Sequence, residues 1–204
     1  MANLTVMLNR AVAAYKKGQL NEAEQLCQRI IAIKRNFFDA LHLVAVVQSR
    51  LGKKDEALAS YDRALKVRPD YAEALSNRGV TLQELKRFEE ALVSYDRALK
   101  VRPDFAETLS NRGVTLQELK RFEEALASYD RALKVRPDYA DAFLNRGLIR
   151  LLVGQYKDGW ADHEWRWKQN FFQVNAPRSM YPFGKVRTCP GAICWCSASK
   201  DWAT

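Results

Sequence analysis

Apolar residues recur along this chain at helical spacing, in short blocks broken by polar turns. Between residues 72 and 105, Leu75, Leu82 and Leu85 share one helix face, and Leu92, Tyr95, Ala98 and Leu99 share the face of a second helix. Pro103 ends the second helix, because proline pushes the residue before it out of helical geometry. Asp104 with Glu107, and Asp70 with Glu73, predict capping boxes at the next helix starts, with Asp in place of Ser or Thr. Asp62/Lys66, Asp96/Lys100 and Asp130/Lys134 are four apart, acid first, and predict ion pairs on a solvated outer face.

The two-helix pattern repeats every 34 residues. Residues 72–105 and 106–139 differ at only three of those 34 positions. The frame extends outward through 38–71 and more loosely through 4–37 and 140–173. A period of this length predicts stacked units, each burying its apolar face on its neighbours, with atypical units at the ends. Function is then to be sought along a repeated surface rather than in one pocket.

The frame resembles the tetratricopeptide repeat, which wants a bulky residue at position four, a small one at eight, Ala at twenty, an aromatic at twenty-four, Ala at twenty-seven and Pro at thirty-two. The third unit supplies Leu75, Gly79, Ala91, Tyr95, Ala98 and Pro103, and the fourth Leu109, Gly113, Ala125, Tyr129, Ala132 and Pro137. The resemblance covers about four-fifths of the chain. It implies an all-α solenoid of about five helix-turn-helix repeats in a right-handed superhelix (4–37, 38–71, 72–105, 106–139, 140–173), followed by an irregular C-terminal tail (174–204). The first unit departs from the pattern at Cys27 and Arg35, and the fifth at Gly159, His163 and Arg166. The packing of the last helix is the least determined part of the frame.

Charge narrows the partner class. The net charge is +9, yet each near-identical unit carries six basic and six acidic residues. The excess sits at the ends, +4 in the first 37 residues and +3 after Gln173. A nucleic-acid groove would carry its basic residues along the array, so a nucleic-acid partner is not expected. No secretory signal or membrane-length apolar run is present, and a cytoplasmic location is the default. Cys27, Cys189, Cys194 and Cys196 lack zinc-ligand spacing, and neither a metal nor another cofactor is expected.

Catalytic candidates are few. His42 and His163 are the only histidines, without an evident carboxylate or nucleophile partner. No phosphate-binding glycine loop or nucleophile elbow occurs. Glu89 and Glu90 suit a helix start. The glycine of the recurring Asn-Arg-Gly triplet reads as packing. The chain is expected to be non-enzymatic.

The more informative recurrence is asparagine at position six: Asn9, Asn77, Asn111 and Asn145, with Leu43 breaking the row. A carboxamide both donates and accepts, so a row of them suits the backbone of an extended peptide. The resemblance to the repeat arm of O-GlcNAc transferase implies such a ladder on the concave surface. The alternative is a tolerated polar residue copied with the repeat. Neighbouring groove candidates are Glu73, Ser76, Val80, Gln83 and Glu84, with Glu107, Ser110, Val114, Gln117 and Glu118 as equivalents. This set is mildly acidic, which favours a neutral or basic segment over an acidic chaperone tail.

Residues 159–168, GWADHEWRWK, resemble the segment that closes the array in bacterial proteins whose repeats precede a glycosyltransferase-like domain. Trp160, Trp165 and Trp167 predict a hydrophobic end, either capped by the tail or joined to a second copy as a homo-oligomer. From about Arg178 the composition changes. In the shifted frame Met180–Tyr181 forces Val, Cys194–Trp195 forces Leu then Val, and Asp201–Trp202 forces Leu then Gly. Permitted codons allow LNVPVWQGSDLPGRYLLVQREQGLGD, similar to the start of that following domain, so the tail reads as its frameshifted remnant. The leading expectation is a protein-interaction scaffold binding an extended peptide. A detached acceptor-recognition arm and a self-assembling structural module stay open.

Overall fold

The array is built from helix pairs in the order of the repeat frame. The structure, a computed structural model, describes residues 4–165 and the short segments 187–189 and 192–194. The first helices of the units are α1 (Leu4–Lys16), α3 (Phe38–Arg50), α5 (Ala72–Glu84), α7 (Ala106–Glu118) and α9 (Ala140–Leu152). The second helices are α2 (Leu20–Ile33), α4 (Lys54–Val67), α6 (Phe88–Val101), α8 (Phe122–Val135) and α10 (Tyr156–His163). The last helix does form, but with 8 residues where its counterparts have 14.

The turn inside each pair has one form. The residue at position fifteen is left-handed throughout: Gly18, Gly52 and Gly154 in the first, second and fifth units, and Lys86 and Lys120, both at φ 59°, in the third and fourth. It closes the first helix as a Schellman motif. Lys86 N–H donates to the Gln83 carbonyl and Arg87 N–H to that of Leu82, each at 2.9 Å.

Within a unit, glycine at position eight receives the aromatic ring at twenty-four. A Cβ on Gly79 would lie 2.5 Å from the Tyr95 ring, and one on Gly113 2.7 Å from that of Tyr129. Both rings are fully buried. In the first unit Ala11 faces the smaller Cys27, and both are buried in one cluster. Burial pushes the Cys27 thiol up to about 12, so it stays a neutral packing group.

Two local expectations are corrected. Tyr71 and Phe105, not Asp70 and Asp104, occupy the N-cap positions of α5 and α7, and neither start has a side-chain cap. Glu73 and Glu107 instead pair with Arg102 and Arg136 at the end of the same unit. The aspartates at position twenty-five do not pair with lysines four residues on. Asp62, Asp96 and Asp130 accept from Arg78, Arg112 and Arg146 of the following unit, at 2.7, 2.8 and 2.6 Å. A guanidinium reaching across the interface is less exposed than a lysine on the outer face, and it makes a second bond there as well.

The tail and its frameshift reading lie outside the described residues, as does Trp167. The exception is a small antiparallel pair, β1 (Arg187–Cys189) with β2 (Ala192–Cys194), Thr188 opposite Ile193. It is the one β element among the described residues, in a stretch expected to be irregular.

Candidate functional site

The first helices touch one another in succession, α1 to α3, α3 to α5, α5 to α7 and α7 to α9, whereas among the described residues no second helix contacts another second helix. The first helices are therefore the more closely spaced, inner layer, and the array curves around them. Any groove shared by all units lies on their open face.

The position-six asparagines sit on that layer. Asn77, Asn111 and Asn145 are partly exposed and Asn9 is exposed. Among the described residues the carboxamides of Asn111 and Asn145 make no hydrogen bond. Asn77 Nδ2 lies 3.5 Å from His42 Nε2, so where Leu43 interrupts the row a histidine one residue earlier meets the ladder. His42 packs among Phe38, Tyr61 and Tyr71. Burial lowers its pKa, against the opposing pull of Glu73 and Asp39.

The neighbouring candidates divide. Ser76 and Ser110 are buried, a correction to their placement in the groove. The Ser76 hydroxyl accepts from Thr108 of the next unit at 2.8 Å. Position five turns inward because the following first helix packs directly over it. Gln83 is partly buried, and its Oε1 accepts from Tyr95 at 2.9 Å and from Thr115 of the next unit at 3.0 Å. Gln117 lacks the second donor, because Ile149 stands where Thr115 would recur, and the Tyr129 hydroxyl is left without a partner.

Glu73 and Glu107 are partly exposed, and each is engaged by an arginine at the end of its own unit. Arg102 bonds Glu73 at 2.7 Å while its guanidinium lies 3.5 Å from the Phe105 ring centre; Arg136 bonds Glu107 and lies over Tyr139. Burial raises the Glu107 pKa, but the Arg136 hydrogen bond, a backbone hydrogen bond and the nearby guanidinium charges outweigh it and hold the carboxylate below its usual range. The groove is therefore less acidic than its composition indicates.

Sequence reasoning missed the arginine of the Asn-Arg-Gly triplet. Arg78 and Arg112 each bond an aspartate of the preceding unit and a serine of their own second helix, Ser94 at 2.6 Å and Ser128 at 2.7 Å. The signal was present: Arg at position seven occurs wherever the preceding unit has Asp at twenty-five, and is absent where Val44 follows Gln28.

No group of three metal-ligating side chains and no helix long and apolar enough to cross a membrane occurs among the described residues.

Family models described as tetratricopeptide repeat match residues 70–138 and 3–36, and one described as TPR repeat matches residues 50–86. No curated protein matches the chain in sequence. Among solved structures, MamA 41-end from Desulfovibrio magneticus RS-1 aligns with TM-score 0.76 at 17% identity, covering 83% of this chain and 98% of that one. PilF of Pseudomonas aeruginosa aligns with TM-score 0.73 at 20% identity, covering 79% and 74%. YrrB, described as a TPR protein with an unusual peptide-binding site, aligns with TM-score 0.67 at 18% identity, covering 79% and 84%. These identities speak for the fold alone. With its helix pairs, its glycine–aromatic packing and the matched repeat models, the chain is a tetratricopeptide-repeat protein.

Proposed function

We propose that the chain is a protein-interaction scaffold that holds an extended peptide along its first helices, with Asn9, Asn77, Asn111 and Asn145 bonding the ligand backbone. The observation that carries this reading is the row of partly exposed carboxamides, two of them unbonded among the described residues. Helix-interior asparagines contribute little to helix stability, so their recurrence on the inner layer suits a ligand. Gln117 adds an amide that makes no hydrogen bond among the described residues, whereas Ser76 and Ser110 serve packing. Peptide binding by the fold relative YrrB accords with this reading. The experiment is selection from a random 12-residue display library, followed by titration of the best binder. Asn77→Ala with Asn111→Ala should weaken it by about 1–3 kcal/mol with helicity unchanged, two neutral hydrogen bonds at about 0.5–1.5 each. An unchanged dissociation constant for a groove-bound peptide would return the asparagines to passengers of the repeat.

A second reading, a detached acceptor-recognition arm of a glycosyltransferase-like protein, is favoured by the GWADHEWRWK segment and the forced residues of the shifted frame. The coding DNA tests it. Stop codons in that frame, or the absence of an EQGLGD-like string, would remove it.

A further inference from the structure

Each inner unit is covered by the next in the same way. In the fourth unit, positions nine, fourteen, seventeen and twenty-one are Val114, Leu119, Phe122 and Leu126, all packed into the cluster that holds Ala142 and Ile149 of the fifth. In the fifth unit the same positions are Leu148, Val153, Tyr156 and Trp160, which are 48, 40, 65 and 58% exposed. An end facing only water has no need of this apolar set, yet every position stays apolar or aromatic and three of the four side chains are larger than before.

The opposite end carries the matching surface. The covering face of an inner unit uses positions three, seven and ten of its first helix: Thr108, Arg112 and Thr115 in the fourth unit, with both threonines fully buried. In the first unit these positions are Val6, Arg10 and Ala13, all exposed. The arginine at seven is the one that bonds position twenty-five of the preceding unit. Arg10 makes no ion pair among the described residues, and position twenty-five of the fifth unit is Glu164, exposed and likewise unpaired. Arg10 and Glu164 thus stand as the two halves of the contact made by Arg78 with Asp62, Arg112 with Asp96 and Arg146 with Asp130.

We propose that copies of this chain associate head to tail: the α1 face of one copy covers the α9–α10 face of another and continues the repeat frame across the junction. Arg10 then bonds Glu164 of the partner subunit, and Trp160 and Tyr156 are buried beneath α1. The two faces differ, so the contact is heterologous and extends into a linear assembly rather than closing as a symmetric pair.

The test is sedimentation velocity on the full chain over a range of concentrations, with circular dichroism to check that each variant is folded. The weight-average mass should rise with concentration past that of a dimer. Arg10→Glu and Glu164→Arg should each weaken association by about tenfold or more, because like charges then meet at the junction. Mixing these two variants should restore it, since every mixed junction again pairs opposite charges. Trp160→Asp should abolish it. A constant monomer mass would overturn the proposal and point to the chain's own residues beyond 165 as the cover. Association unaffected by Arg10→Glu would overturn it in favour of a symmetric contact between two C-terminal faces. Failure of the mixture to recover would also overturn it.

Discussion

The third and fifth units use one frame to solve the same packing problem by different means. In the third, Gly79 receives the Tyr95 ring, and Arg78 ties the unit to its neighbour through Asp62 and Ser94. In the fifth, His163 replaces the tyrosine and Asp162 replaces the serine. Arg146 and Arg150 converge on that carboxylate, Arg146 with two of its nitrogens at 2.6–2.7 Å and Arg150 at 2.8 Å. An aromatic core with an exposed ionic edge has become a buried ionic core with an exposed aromatic edge. A repeat frame fixes backbone spacing, and the side chains within it are free to exchange apolar filling for charge as long as each buried group is paired.

This contrast breaks most sharply at Asp162. Its side chain is 7% exposed, against 52% for Asp96 of the third unit. Burial alone would lower the Arg146 pKa, but Asp162 and Asp130 outweigh it and hold the group charged. Removing one partner of a buried pair costs up to about 3–5 kcal/mol, less here because Arg146 keeps Asp130, whereas an exposed pair is worth under about 1 kcal/mol. Asp162→Asn should therefore release α10 and the end of α9, seen as lost amide-exchange protection confined to the fifth unit. Asp96→Asn should leave protection almost unchanged. Equal effects would mean that the ionic core carries no special weight.

The glycines sharpen the same comparison. A Cβ on Gly147 would meet the Gly159 carbonyl oxygen at 3.0 Å and the His163 nitrogen at 3.1 Å. Both are backbone atoms, so the two helices must separate, and Gly147→Ala should cost about 1–3 kcal/mol in urea unfolding. Gly79→Ala meets a side-chain ring instead. The second unit already combines Ala45 with Tyr61, both fully buried, so the frame can hold this pair once the ring moves out of its 2.5 Å contact. Alanine also gains about 1 kcal/mol of helix propensity. That variant should lie within about 1 kcal/mol of the parent. A larger loss at Gly79 than at Gly147 would reverse the assignment of which unit packs backbone on backbone.

The helix pairs were legible because apolar spacing and the 34-residue period act through local geometry and burial, which the sequence writes directly. The groove was legible only in part. Asn111 and Asn145 are on the inner layer, but Ser76 and Ser110 turned inward, because a single step around a helix separates a floor position from an interface position. Which side of that step is covered depends on how the next helix crosses. The charged pairs were misread for a related reason. Asp62 and Lys66 are neighbours along one helix, while Arg78 becomes a neighbour only after the units stack. Gln28 and Val44, the exception to the Arg–Asp pairing, held the information that proximity along the chain concealed.

The smallest effect concerns the turn at position fifteen, where the third and fourth units differ from the other three. Gly18, Gly52 and Gly154 take the left-handed conformation without strain, whereas Lys86 and Lys120 take it at φ 59° with a Cβ. Neither lysine side chain has a hydrogen bond or ion pair among the described residues to offset this. The left-handed region costs a residue with a Cβ roughly 1–2 kcal/mol. Glycine removes that cost but adds freedom to the unfolded chain, which reclaims part of the gain. Lys86→Gly and Lys120→Gly should each stabilise the array by about 0.5–1 kcal/mol, and the double variant by nearly the sum, since the sites share no partner. Lys86→Ala separates the explanations. It removes the lysine but keeps the Cβ, so its urea midpoint should not rise. A rise equal to that of the glycine variant would mean that side-chain charge, not backbone conformation, limits the central turns.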